Sequence, residues 1–201
     1  MLRAIHLLLL LVLTLVGCAS GDPLPSLSGK LLVARPGMSP NLFSHSIVLV
    51  MNHDEQGAFG FILNRPGGEA KLADLLSDLD QKLPEPMPAN PSLGMFLGGP
   101  VEMGSLFLLH SADLPSKDTI TAAGRYVLSK PLETMGRMAQ SGQVPKHVML
   151  LLGYSGWGAG QLENEVERGD WEIIDPSDDL VFSGQVGEAW QRAWDRRSIG
   201  L

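Results

Sequence analysis

The chain has 201 residues, 44% of them apolar and 18% charged, which excludes a disordered chain and is enough to bury one sizeable core. Its formal net charge of −7 repels phosphate backbones and argues against a broad nucleic-acid surface. A single cysteine excludes an internal disulfide and a cysteine-rich zinc site.

Met1–Ile5 carries Arg3 and the amino terminus as a short positive segment. Leu7–Val16 follows as an apolar run too short to cross a bilayer, which takes about 20 helical residues, but suited to a signal-peptide core. Leu15-Val16-Gly17-Cys18 resembles a lipobox, with an aliphatic residue, smaller residues and then cysteine. The resemblance implies cleavage before Cys18 and lipid on that cysteine, which would hold the chain on the non-cytoplasmic side of a bacterial membrane. Without processing, the chain would stay cytoplasmic. Ala19–Ser28 is polar, contains proline and lacks periodicity, so it reads as a tether. The expected organisation is a signal peptide over 1–17, a lipid-attachment cysteine and flexible tether over 18–28, and one domain over 29–201.

Within that domain, Leu31–Ala34 reads as a strand, and Ser44–Met51 with Ala58–Asn64 as a hairpin around the polar turn Asn52–Gly57. Both hairpin runs are nearly continuous in apolar residues, the pattern of strands buried on both faces. Leu72, Leu75, Leu76 and Leu79 have helical spacing within Lys71–Leu79, and the proline-rich Leu83–Pro91 reads as a loop. Leu93–Leu97 and Leu106–His110 flank Gly98-Gly99-Pro100-Val101 and read as a strand pair. Tyr126–Ser129 is a short strand, Leu132, Met135, Gly136 and Ala139 mark a helix, and His147–Leu152 is a buried strand. A helix over Gly160–Arg168 ends at Gly169, Trp171–Ile174 is a strand, and Val186–Arg197 is an amphipathic helix that docks Trp190 and Trp194 and leaves its arginines in water. Hairpins mixed with helices in irregular order indicate an α+β fold.

Several phrases together resemble the AlgH (YqgE) family. They are Leu32–Met38, Phe43 with Ser46–Val48, His53 with Gly57–Pro66, Gly98–Val101, Leu106–His110 and Gly153–Glu165, followed by Trp171, Phe182, Trp190–Ala193 and Ile199-Gly200. The resemblance covers Gly29–Leu201. It implies a mixed β-sheet curled into a partial barrel with flanking helices. It brings no established catalytic residues, and one family member is described as a transcriptional regulator. Family members usually begin near the position of Gly29 and are treated as cytosolic, so a lipoprotein-type signal sets this chain apart.

Gly153-Tyr154-Ser155-Gly156-Trp157 stands between an expected strand and an expected helix, the setting of a G-x-S-x-G nucleophile elbow. Trp157 replaces the second glycine and no histidine follows Ser155, so a tight strand-to-helix turn is the simpler reading. Gly156, Gly158 and Gly160 could instead present backbone N–H groups to a small polar ligand. His53-Asp54-Glu55 offers metal-competent side chains, but neighbours on a tight turn seldom converge on one ion, and a solvated turn is the expectation. His45 and His110 read as core histidines. Gly99 suits a turn with unusual backbone angles. The leading expectation is a lipid-anchored, non-enzymatic binding module with no cofactor and no metal, its partners being the membrane through Cys18 and a protein or small ligand. The alternatives are a cytosolic regulator, and a hydrolase or small-ligand binder using Ser155, Gly156, Trp157, Gly158, His53 and Gly99.

Overall fold

Leu31–Ala34 (β1), Ile47–Asp54 (β2) and Gly57–Ile62 (β3) are apolar on both faces because both faces are covered. Leu31, Val33, Ile47, Leu49 and Met51 enter one core cluster, and the intervening Leu32, Ala34, Val48 and Val50 enter another. That two-residue alternation follows from the strand pleat. The computed structural model describes residues 24–38, 41–71, 73–74, 92–114, 119–183 and 186–196. Cys18, Arg197, Ile199-Gly200, the loop Leu83–Pro91 and most of the helix expected over Lys71–Leu79 lie outside the described residues.

The remaining strands are Pro66–Lys71 (β4), Ser92–Leu97 (β5), Val101–Ser111 (β6), Ile120–Ala122 (β7), Tyr126–Ser129 (β8), Val148–Gly158 (β9) and Trp171–Ile174 (β10). The helices are Pro131–Ser141 (α1), Gln161–Glu167 (α2), Asp178–Val181 (α3) and Val186–Arg196 (α4). The fold is α+β. Its ten-stranded sheet runs β10-β1-β2-β3-β9-β6-β8-β7, with β4 and β5 as a branch on β9. The β5–β9 pairing is parallel and the others are antiparallel.

β9 is the hub. β3 pairs with Ser155–Gly158, β5 with Leu150–Leu152, and β6 with β9 from Val148 to Tyr154. Three expectations change as a result. β5 and β6 do not pair with each other, because β9 lies between them. The expected turn Asn52–Gly57 is shorter, since β2 runs on to Asp54 and a bulge between Val50 and Asn52 absorbs the register shift. The sheet curls until β7 meets β2, but no ladder joins β7 to β10 among the described residues, so it is open and not closed into a barrel.

Helices cover the faces. α1 sets Met135 and Met138 on Leu108 and Leu150. α4 lays Trp190 and Trp194 against the first core cluster, with their rings stacked at 5.8 Å, and Trp190 Nε1 donates to the Ala34 carbonyl at 2.8 Å. Arg196 is exposed as expected, and there it pairs with Asp179 at 2.6 Å, tying α4 to the short α3, while the half-buried Arg192 donates to Ser183 Oγ. His110 is buried in β6 as expected, and burial pushes its imidazole pKa down. His45 is not a core residue. It precedes β2 with φ of 56°, is exposed, and sets its ring edge-on to Trp190 at 4.4 Å.

Tyr126, at 0% exposure the largest fully buried side chain among the described residues, donates to Asp178 Oδ1 at 3.1 Å. Burial, then the hydrogen bond to Asp178, pushes its phenol up to about 12. Between the ordinary tyrosine value of about 10 and that raised value, the folded state keeps a proton that the unfolded chain has lost. Stability is therefore complete below the unfolded value and falls as pH rises through this window. Urea midpoints measured across the window should drop in the parent chain and drop less in Tyr126→Phe; equal slopes would refute the assignment.

Candidate functional site

Gly153–Gly158 is not a strand-to-helix turn. It is the second half of β9, paired with β3 on one edge. Ser155 is 0% exposed and its hydroxyl donates to the Gly98 carbonyl at 3.1 Å. An elbow lifts its serine into an open site, whereas this one is sealed in a sheet with its proton committed. The same Gly98 carbonyl accepts the Ile62 amide at 2.8 Å, and the Gly98 amide donates to the Leu152 carbonyl at 2.8 Å. Gly98 is therefore stitched to β3 and β9 at once. Gly99 serves close approach as well as backbone angle, because a Cβ there would lie 2.2 Å from the Tyr154 carbonyl carbon.

The other side of this stretch opens into a cleft of about 560 Å³, within the range of small-molecule sites. Phe59 and Phe61 from β3, Phe107 from β6 and Tyr154 from β9 line it, with Ala58, Val101, Glu102, Gly156 and Trp157. The four rings form a closed circuit of contacts. Phe59–Phe61, Phe61–Phe107, Phe107–Tyr154 and Tyr154–Phe59 have centroids 6.4, 5.2, 6.1 and 6.3 Å apart, and three of the four pairs stand nearly perpendicular. Among the described residues Glu102 is the only charged one on the lining, and it sits in the left-handed region with φ of 48° on an exposed bulge of β6.

A second cleft of about 440 Å³ lies between Phe43, Trp157, Trp171 and α2. Its central carboxylate is occupied. Glu165 Oε2 accepts the indole N–H groups of Trp157 and Trp171 at 2.8 and 2.9 Å, and Oε1 accepts Gln161 Nε2. This arrangement locks α2 to β9 and β10.

His53 corrects a further expectation. It is not on a solvated turn but in β2, 6% exposed. Its Nδ1 accepts the Leu27 amide at 3.0 Å, which places the ring proton on Nε2, 3.1 Å from Glu163 Oε1. Ser26 and Ser28 flank this contact: Ser26 Oγ donates to the His53 carbonyl, and the His53 amide donates to Ser28 Oγ. Leu27 is buried, so the domain's contacts begin before Gly29 and take in the last residues expected to be tether.

Of the expected site residues, Gly156 and Trp157 line the aromatic cleft. Ser155 and Gly99 build the backbone beneath it. Gly158 donates its amide to Gln161 Oε1, and His53 belongs to the separate contact with Leu27. Among the described residues no cluster of His, Cys, Asp and Glu could hold a metal ion. The rings and Glu102 were missed because three strands supply them. Their only local signal was Phe59 and Phe61 at two-residue spacing.

A family model described as AlgH-like matches residues 31–201. The chain belongs to the AlgH-like family. A UPF0301 protein of Methylococcus capsulatus is 37% identical over 176 residues, covering 87% of this chain and 93% of that one. A UPF0301 protein of Rhodopseudomonas palustris is also 37% identical, covering 86% of this chain and 81% of that one. The solution structure of the AlgH protein from Pseudomonas aeruginosa superposes with a TM-score of 0.67 at 29% identity, covering 90% of this chain and 92% of that one. A crystal structure from Corynebacterium diphtheriae, with a TM-score of 0.62 and 23% identity, covers 86% of this chain and 87% of that one and shares the fold. The AlgH-like resemblance seen in the sequence thus extends to the whole folded domain.

Proposed function

We propose that this AlgH-like chain is a lipid-anchored binding module of a bacterial envelope, tethered through Cys18 and presenting the aromatic cleft of β3, β6 and β9 to a small ligand. The observation that carries the reading is the cleft itself. It has the size of a small-molecule site and an apolar aromatic lining, and the neighbouring Ser155 hydroxyl is sealed and committed to Gly98. A site of this kind retains a ligand by burial and shape. The lipobox-like Leu15–Cys18 supports the anchor. Docking of Ser26–Ser28 leaves a leash from Cys18 that reaches about 30 Å at full extension, so the domain would stay near the bilayer.

The anchor is tested by growing cells with an alkyne-tagged fatty acid and weighing the mature N-terminus. The expected product begins at acylated Cys18 and fractionates with membranes, and Cys18→Ala loses the label and the membrane association. An unlabelled chain that begins at Met1 and stays in the cytosol would overturn the anchor.

A further inference from the structure

We propose that the aromatic cleft is a site for an organic ammonium ion, with the cation held over the ring circuit and balanced by Glu102. This rests on the reading of the cleft as a ligand site and names what that site selects. Two independent features point to a cation. The first is the circuit of Phe59, Phe61, Phe107 and Tyr154, every centroid within 6.4 Å of the next. Phe61 is 0% exposed and backs the cluster, so Phe59, Phe107 and Tyr154 supply the ring surfaces a ligand can reach, and a cation within about 6 Å of their faces is attracted by their quadrupoles. A neutral aliphatic ligand would gain burial there, but nothing from the quadrupoles.

The second feature is Glu102. Among the described residues it is the only charged group on the lining, it is exposed, and Ser105 donates its hydroxyl to Oε2 at 3.2 Å. Among the described residues no lysine or arginine pairs with it. This exposed carboxylate stands at the rim of the aromatic lining, where it is placed to attract a cation from solution. A phosphate or carboxylate ligand would meet Glu102 with like charge and find no cation on the lining. A methylated ammonium satisfies both the rings and the carboxylate, and desolvates more readily than a primary amine.

The test uses choline and its neutral isostere 3,3-dimethylbutan-1-ol as probes on the purified chain in lipid-free buffer, so that no lipid choline competes. Saturation-transfer NMR on the methyl protons reads binding, with probe alone as background. Choline is expected to bind roughly tenfold more tightly than the isostere, the difference that cation–π and carboxylate attraction supply. Glu102→Gln should shrink that ratio severalfold without moving the thermal midpoint, since the side chain is exposed. Tyr154→Leu should shrink it too; if that variant fails to fold, Glu102→Gln carries the test. Equal binding of both probes, or a ratio untouched by Glu102→Gln, would overturn the proposal and leave a plain apolar slot. A dimer that closes the cleft and excludes both probes would also overturn it. Adding phosphatidylcholine vesicles separates two sources of the same chemistry: displaced choline points to a lipid headgroup and undisplaced choline to a soluble ammonium, and both support the ammonium reading. The outcome is independent of the anchor, which the mass of the N-terminus decides.

Discussion

Gly99→Ala is expected to destabilise the domain severely. A Cβ at this position would lie 2.2 and 2.3 Å from the Tyr154 carbonyl carbon and oxygen and 2.4 Å from the Ser155 amide nitrogen. All three are backbone atoms of β9, so no side chain can rotate away. β9 cannot retreat either, because it is paired with β3, β5 and β6 together. With φ of 156°, an L side chain at this position also adds strain to the clash. The cost falls in the exceptional class of roughly 4 kcal/mol or more, which for a domain of this size lowers the melting midpoint by about 10 °C or more. Gly60→Ala isolates the steric part, since its backbone is ordinary and its Cβ would meet the Leu49 carbonyl oxygen at 2.3 Å. Gly104→Ala is the control: nothing lies within 4 Å of its added carbon, and the change should stay within about 0.5 kcal/mol. Circular-dichroism melts of the three variants decide the matter, and a Gly99→Ala midpoint equal to that of Gly104→Ala would refute the close-packed hub.

The same glycines explain which parts of the fold were legible in the sequence. β1, β8 and β10 have the bounds expected of them, because short apolar runs between turn residues carry a local signal. The second half of β9 was not legible. Gly153, Gly156 and Gly158 read locally as a turn, and the turn reading is right about their small size but wrong about its reason. Gly153 here, with Gly57 and Gly99 opposite, lets neighbouring backbones approach. That requirement comes from strands far away in sequence. The pairing of β5 with β9 is non-local in the same way, so the glycine turn between β5 and β6 suggested a hairpin that β9 interrupts. The candidate site divides likewise. Gly156 and Trp157 were found because their motif is compact, whereas Phe107 and Glu102 come from a strand whose local pattern gives no reason to group them with Phe59.

His53→Ala is expected to release Leu27 and destabilise the domain by roughly 2–4 kcal/mol. His53 was misread because Asn52-His53-Asp54-Glu55 is polar throughout, while its partners lie 26 and 110 residues away. In the fold its two ring nitrogens do different work. Nδ1 accepts from the buried Leu27 amide at 3.0 Å, and Nε2 donates to Glu163 Oε1 at 3.1 Å, joining the entering chain to α2 through β2. Removing the ring leaves a buried amide without its acceptor and takes a donor from Glu163, whose Oε2 is already buried without a partner. Leu27, 3% exposed, then has less reason to stay docked. His53→Gln should recover part of the loss, since its amide offers both an acceptor and a donor. The specific readout is hydrogen exchange at the Leu27 amide together with protease cleavage between Ser26 and Gly29, both rising in His53→Ala; unchanged protection at Leu27 would refute the latch. The histidine contact thus holds Ser26–Ser28 against β2 and joins them to the folded domain.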